Sequence, residues 1–169
     1  SSILSEDYSA DKANDGINDN SNYSAWISAK DDNRPWWQAD LAIGCNISKV
    51  EIEARKNGEQ DERRNFRILV SNDPEFSEYD VVGECKDDYG NNDIWTIPFA
   101  SKKRYQFIRV EKTADGVLSI GEIRVFVDKT SILYGTETFE KNTQLPLTDT
   151  STRYNISSNI RGTNIENKD

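Results

Sequence analysis

The stretch Pro35-Trp36-Trp37-Gln38-Ala39-Asp40-Leu41 places two tryptophans, one acid and one leucine within seven residues. Side chains of an extended strand point alternately to opposite faces. The second tryptophan therefore shares a face with Ala39 and Leu41, and the first shares the other face with Gln38 and Asp40. A tryptophan buries a large apolar area, and its N–H needs a hydrogen-bond partner. We predict a β-strand whose tryptophans anchor a core and whose acid is a structural hydrogen-bonding group.

Short segments of alternating or continuous apolar residues follow along the chain. They lie at residues 47–54, 66–71, 81–83, 94–99, 105–110 and 117–127. Turn-forming clusters such as Asn72-Asp73-Pro74 and Ala114-Asp115-Gly116 separate them. Segment 105–110 is apolar at most positions, which is typical of a central strand. Short strands with turn signals roughly every ten residues, and no helical periodicity over three turns, predict an all-β sandwich.

The composition changes after residue 128. Residues 1–128 contain every predicted strand, so we expect one sandwich domain there. Residues 129–169 are rich in Thr, Ser and Asn and have only scattered apolar residues. We interpret them as a linker or the start of a neighbouring domain. Because the chain contains no methionine, we expect it to be a mature or excised part of a larger protein.

Charge and residue usage exclude several functional classes. The net charge of −9 and the pI near 4.6 disfavour nucleic acid and anionic membrane surfaces. An acidic surface suits calcium or neutral sugars. The absence of histidine excludes a Ser-His-Asp or Cys-His nucleophile and a histidine-ligated zinc site. No pair of carboxylates is singled out by its context for hydrolysis, so we expect a protein that is not an enzyme.

Several pieces of the chain, taken in order, resemble the discoidin, or coagulation-factor type C, family of galactose-binding-like domains. The pieces are Ala13-Asn14-Asp15-Gly16, Trp26, Trp36-Trp37-Gln38-Ala39-Asp40-Leu41, residues 47–55, residues 66–73, Arg104-Tyr105 with Arg109-Val110, and Leu118-Ser119-Ile120-Gly121-Glu122-Ile123. The resemblance covers residues 1–128 and implies a jelly-roll-like β-sandwich. Within that superfamily the chain looks like a carbohydrate-binding module of the family 32 type or an F-type (fucose-binding) lectin.

The resemblance also suggests a ligand site. F-type lectins have one arginine after the strand that follows the Trp-Trp strand and another a short loop later. Arg55 and Arg63, with Asp61 between them, resemble that pair, and Trp26 or Tyr89 would supply an aromatic platform for a sugar. F-type lectins also have a histidine before the Trp-Trp strand, and this chain has none. This departure argues against fucose specificity in particular, and the ligand that the resemblance implies is a galactose- or fucose-type glycan.

A structural calcium ion is implied by the same resemblance. The implied ligands are the carboxylates of Asp15 and Glu122, the carbonyls of Lys12, Ile17 and Gly121, and, as a weaker candidate, Ser24. Calcium prefers six to eight hard oxygen ligands, many of them backbone carbonyls. A tight polar loop such as residues 11–20 can supply them. The ion would join this loop to the last strand.

Cys45 and Cys85 are the two cysteines of the chain. They could form one disulfide if the protein is exported. The alternative is two buried thiols. The resemblance to F-type lectins extends to Cys85, because those lectins have a cysteine near this position.

Two functions remain open from the sequence. The first is a non-catalytic, lectin-like carbohydrate-binding module with structural calcium, in a larger protein outside the cell or at its surface. The second is an adhesion domain that binds proteins without binding sugar. The expected partner is accordingly a glycan or a cell-surface glycoprotein.

Overall fold

A computed structural model describes residues 2–19, 21, 23–87, 89 and 94–128 of the chain. The predicted linker, residues 129–169, lies outside the described residues. The described part contains nine antiparallel strands: β1 (Trp26–Ile27), β2 (Trp36–Cys45), β3 (Ile47–Glu53), β4 (Phe66–Ser71), β5 (Asp80–Cys85), β6 (Ile94–Pro98), β7 (Tyr105–Lys112), β8 (Ser119–Ile120) and β9 (Glu122–Val127).

Two sheets face each other across the core. One has the strand order β2-β7-β4-β5, the other has the order β6-β3-β9, and β1 pairs with β8 in a small separate ribbon. Most buried residues of both sheets form one cluster, which includes Trp37, Val50, Ile68 and Ile108, and a second, smaller cluster consists of Leu69, Phe76 and Phe107. The alternation that the sequence shows therefore fits a β-sandwich, and the predicted all-β class is confirmed.

Strand β7 is central, as its apolar sequence predicts. It lies between β2 and β4, and Ile108 and Val110 are fully buried. Burial on one face of β7 alternates with half-buried Arg109 and Glu111 on the other. On this outer face, Arg109 donates a hydrogen bond to Gln38 on β2, and Glu111 accepts one from Arg67 on β4.

The Trp-Trp strand has the predicted two faces. Trp37 is buried in the core, and its Nε1 donates to the Ala10 carbonyl at 2.8 Å. Trp36 lies half-buried on the outer face, with the Arg109 guanidinium 4.4 Å from its ring centroid, so the prediction that both tryptophans anchor the core is wrong for Trp36. The Asp40 carboxylate accepts the Ala42 backbone N–H at 2.7 Å. The acid is thus a structural hydrogen-bonding group, as expected.

The predicted strand 117–127 is divided at Gly121 into β8 and β9. The two parts have different partners, since β8 pairs with β1 and β9 pairs with β3. The backbone of Gly121 lies so close to its neighbours that an added Cβ would be 2.6 Å from Asn18 Nδ2 and 2.8 Å from the Ala54 carbonyl oxygen. Only glycine allows this close approach.

Helical structure in the described residues consists of three short 3₁₀ segments, Glu6–Tyr8, Ala10–Ala13 and Gln60–Arg63. The first two belong to the N-terminal loop, the part of the chain before β1, and the second of them contacts β1 and β9. The third lies in the loop between β3 and β4. None of the helices described is long and apolar enough to cross a membrane.

The predicted disulfide is wrong. Cys45 and Cys85 are both buried thiols, on β2 and β5, the two edges of the four-stranded sheet. Three strand spacings separate these edges by roughly 14 Å. Cys45 is also opposite Tyr105 at the start of β7, whereas Cys85 is opposite Phe66, which pairs with Lys112 at its end. A disulfide needs Cα atoms within about 7 Å.

Candidate functional site

The loop between β3 and β4 contains both predicted arginines, and each donates to a carbonyl of that loop. Arg55 Nη2 donates to the Asn57 carbonyl at 2.8 Å, and Arg63 Nη1 donates to the Gly58 carbonyl at 2.7 Å. Arg63 is only 4% exposed. A buried charge is costly unless it is hydrogen-bonded. Arg63 therefore stabilises the loop from inside.

Lys112 supports the same loop from β7. It is 2% exposed, and its Nζ donates to the carbonyl oxygen of Asp61. Burial lowers the pKa of Lys112 to about 8, although the charges of Asp61 and Glu62 act in the opposite direction. Three cations thus bind three carbonyls of residues 57–61, so the loop has a defined conformation.

Charged side chains lie on the outer side of this loop. The Asp61 side chain is 79% exposed and forms an ion pair with Arg64. The Arg55 side chain is partly exposed, with Nε 3.7 Å from Glu62 Oε2. Of the three predicted ligand residues, Arg55 and Asp61 therefore reach the surface, and Arg63 faces inward.

The two predicted aromatic platforms differ from the expectation. Trp26 is 1% exposed and belongs to the core, because its pairing with Ile120 brings it under the sandwich. Its assignment to ligand contact is wrong. Tyr89 is half-buried and packs edge-on against Phe66, with ring centroids 6.3 Å apart. It lies at the same end of β4 as the loop between β3 and β4, residues 54–65, which we call the arginine loop.

An aromatic pair that the sequence analysis did not select lies in the N-terminal loop. Tyr8 and Tyr23 have ring centroids 5.9 Å apart, and Tyr23 is 55% exposed. The loop reaches the arginine loop through Asn18, whose Nδ2 donates to the Ala54 carbonyl at 3.0 Å. In the sequence, an exposed aromatic is indicated here by the position of Tyr23 directly after the run of Asn, Asp and Ser at residues 18–22.

The predicted calcium ligands are partly brought together. The Gly16 backbone N–H donates to Glu122 Oε2 at 3.1 Å, which joins the N-terminal loop to β9. Glu122 is fully buried. Asp15 Oδ1 accepts the Ile17 N–H at 2.9 Å, and Lys12 Nζ lies 3.7 Å from Asp15 Oδ2.

The oxygen atoms around this junction suit a hard cation. Asn18 Oδ1 is buried and has no hydrogen-bond partner among the described residues. Ser24 is buried as well, but its hydroxyl donates to the Asp19 carbonyl at 3.0 Å. Among the described residues, no group of three or more Cys, His, Asp or Glu side chains is arranged to hold a metal ion. A cation here would therefore depend on carbonyl and amide oxygens, which calcium accepts.

The architecture, the Trp-Trp strand and the junction of the N-terminal loop with β9 agree with one family. The family model for the F5/8 type C domain matches residues 1–124. The chain belongs to this family. The resemblance to discoidin domains drawn from the sequence is thereby confirmed. A search of curated proteins finds no significant match.

Solved structures with the same fold as this F5/8 type C domain include sugar-binding proteins. The lectin domain of Lectinolysin, complexed with Lewis B antigen, is 24% identical, with a TM-score of 0.61 over 76% of this chain and 89% of the other. A fucolectin from striped bass (Morone saxatilis) serum is 19% identical, with a TM-score of 0.66 over 75% and 45%. Chitosan-binding module 1 of a Paenibacillus sp. IK-5 chitosanase/glucanase is 25% identical, with a TM-score of 0.57 over 75% and 90%.

Proposed function

We propose that this F5/8 type C domain is a non-catalytic carbohydrate-binding module of a larger protein that acts outside the cell or at its surface. The observation that carries the proposal is the β3–β4 loop. Hydrogen bonds from Arg55, Arg63 and Lys112 hold its backbone, while Arg55 and Asp61 reach solvent. The named ligands of similar folds, Lewis B antigen and chitosan, support the ligand class.

Arg55 and Asp61 provide complementary chemistry for sugar hydroxyls. A guanidinium donates hydrogen bonds from a planar fork to neighbouring hydroxyl groups, and a carboxylate accepts them. Exposed aromatic rings such as Tyr23 can pack against the apolar face of a sugar ring. Because internal hydrogen bonds already order the loop, binding would cost little conformational entropy.

We further propose that calcium binds where the N-terminal loop meets β9. Asp15 and Glu122 would supply carboxylates, and Lys12, Ile17 and Gly121 would supply carbonyls, with Ser24 as a weaker ligand. The buried Glu122 carboxylate and the buried Asn18 amide oxygen support this position. The ion would be structural, holding the loop that carries Tyr23 against the sandwich.

A glycan array probed in calcium tests the carbohydrate proposal. We expect binding to galactose- or fucose-type glycans, and we expect Arg55→Ala to weaken it about tenfold or more, since hydrogen bonds to charged groups contribute on the order of 2 kcal/mol. The control is Lys49→Ala, which removes a partly exposed cation that is ion-paired with Glu51 on β3, outside the β3–β4 loop. A silent array would contradict the carbohydrate proposal and favour the adhesion alternative, whereas unchanged binding by folded Arg55→Ala would contradict the loop as the site.

A further inference from the structure

A cavity of about 520 Å³ lies at the end of β4 where the chain turns towards β5. The arginine loop precedes β4, whereas the cavity contains Ser71, the last residue of that strand. Six strand residues separate the two ends by on the order of 17 Å. The cavity is therefore distinct from the loop site, and its volume is in the range of small-molecule sites.

An acid, a phenol and an ammonium group meet in this cavity. The Tyr105 hydroxyl donates to Asp80 Oδ2, and Lys103 Nζ lies 3.3 Å from the same oxygen. These two donors hold the pKa of Asp80 below its usual range. Burial and the Asp80 charge raise the pKa of Tyr105 to about 12. At neutral pH the site thus presents a carboxylate and a neutral phenol, with the Lys103 side chain beside them.

The remaining polar wall is ordered by the protein itself. Asn72 Nδ2 donates to the Arg104 carbonyl at 2.9 Å, and Asn72 Oδ1 accepts the Gln106 N–H at 3.0 Å. The Asp73 carboxylate accepts two backbone N–H groups of its own loop at 3.0 and 2.8 Å. These bonds fix the side chains before any ligand arrives, which reduces the entropic cost of binding.

An aromatic ring completes the cavity. Tyr79 is 44% exposed and lines the same space. The Arg67 guanidinium lies 5.6 Å from its ring centroid, which holds the ring in place. Exposed aromatic surface beside polar groups is suited to the apolar face of a sugar ring.

The charge of the lining determines which ligands fit. Three acids, Asp73, Glu78 and Asp80, are opposed by the single lysine, Lys103. Phosphates and acidic sugars would be repelled, whereas hydroxyl and amino groups can donate to the carboxylates. Lys103 and Asp80 present a donor next to an acceptor, which matches two neighbouring hydroxyl groups, because a hydroxyl both donates and accepts.

We propose that this cavity is a second carbohydrate site, specific for sugar rings without a negative charge. Its chemistry is read from the cavity alone and does not depend on the arginine loop. With the loop site at the other end of the sandwich, the module would bind two saccharides at once. Two linked sites raise the avidity for a branched or repeating glycan.

Nuclear magnetic resonance of the ¹⁵N-labelled full chain can locate binding at each end. The probes are galactose, glucosamine and glucuronic acid, which are neutral, cationic and anionic rings of similar size. We expect galactose and glucosamine to shift the amide signals of residues 71–73 and 103–106, and glucuronic acid to leave them unchanged. Arg55→Ala should not alter these shifts, even if it removes all binding at the loop.

Asp80→Asn is the decisive variant, because it keeps the shape of the side chain and removes its charge. It should lower the sugar affinity measured from the cavity shifts about tenfold. The control Asp115→Asn, the same change in the exposed turn after β7, should leave this affinity unchanged. Tyr79→Ala removes only the exposed ring and provides a second test if Asp80→Asn does not fold. Absence of cavity shifts with both galactose and glucosamine, equal binding of glucuronic acid, or full binding by folded Asp80→Asn would each overturn the proposal.

Discussion

Lys112 shows how a single buried charge supports a surface loop. Its ammonium group exchanges water for one backbone carbonyl, that of Asp61. A carbonyl replaces the lost hydration only in part, and burial accordingly lowers the pKa of Lys112 to about 8 from the usual 10.5. The residue orders the loop, but the cost of burying its charge reduces the stability of the folded protein at neutral pH.

This pKa predicts a pH dependence of stability. Below about pH 8 the lysine is protonated in the folded and the unfolded protein. Between pH 8 and 10.5 only the unfolded chain holds the proton, so raising the pH should stabilise the fold by on the order of 3 kcal/mol through this group. Urea unfolding of the wild type and Lys112→Met across this window measures it.

The difference in stability between the wild type and Lys112→Met isolates the contribution of Lys112 to the pH dependence. The raised pKa values of Cys45, about 11, and Tyr105, about 12, make stability fall at higher pH, since the unfolded chain loses those protons first. Both groups are present in both proteins, so their effects cancel in the difference. Parallel stability curves would show that the Lys112 pKa is not lowered.

Cys45 should react slowly in the native protein. Its thiol is buried, and burial raises its pKa to about 11 from 9.0, which lowers the reactive thiolate fraction roughly a hundredfold at mild pH. In unreduced protein unfolded with guanidinium, Ellman's reagent should titrate two thiols. Finding no reactive thiol there would mean that Cys45 and Cys85 are joined after all.

At the scale of elements, the approach of β5 to β6 depends on one glycine. A Cβ on Gly83 would lie 1.7 Å from Ile97 Cδ1 and 3.7 Å from the Trp95 ring. The Ile97 side chain therefore occupies the space above Gly83 and closes the sandwich at this edge.

Gly83→Ala should consequently lower the free energy of unfolding by about 1–3 kcal/mol through overpacking. Because the clash involves the terminal methyl group of Ile97, Ile97→Val should recover part of the loss in the double variant. Gly44→Ala is the matched control, since its Cβ would meet only Arg104 Cβ at an ordinary 3.5 Å. Additive losses in the double variant would argue against this contact.

The arginine loop predicts different roles for its two arginines. Arg63→Ala should lower the free energy of unfolding by on the order of 2 kcal/mol, because it removes a buried side chain and its bond to the Gly58 carbonyl. Arg55→Ala should cost less than about 1 kcal/mol, as expected for a partly exposed ion pair. Thermal or urea unfolding distinguishes the two, and equal losses would show that Arg55 is also part of the core.

At the scale of the whole molecule, the fold depends on how its N-terminal loop is attached. Trp37 Nε1 binds the Ala10 carbonyl, and Glu122 binds the Gly16 N–H. The loop is thus connected to both sheets of the sandwich.

If calcium binds at this junction, it should raise the melting temperature, and a chelator should lower it. A ligand that binds only the folded state adds about 2.7 kcal/mol at one hundred times its Kd, which corresponds to several degrees for a domain of this size. Glu122→Gln should abolish the calcium response, and Asp115→Asn, a change in an exposed turn, should retain it. Identical melting in calcium and chelator would reject the site.

The residues that the sequence analysis placed well are those whose signal is local. The faces of the Trp-Trp strand follow from alternation, and the bounds of β4 follow from Phe66 and the Asn72-Asp73-Pro74 turn. The central position of β7 follows from its apolar sequence. The break at Gly121 was missed because it is imposed by Asn18 and Ala54, which are distant in sequence.

The sequence by itself determined the all-β class, most strand positions and the family, because hydrophobic alternation, turn residues and motif order are properties of neighbouring residues. Only the tertiary structure decided that Cys45 and Cys85 lie at opposite edges of a sheet, that Trp26 is core, and that Arg63 faces inward. It alone brought Asp80, Lys103 and Tyr105 into one cavity. These outcomes depend on the strand order β2-β7-β4-β5, which pairs segments far apart in the chain and leaves no periodic trace in it.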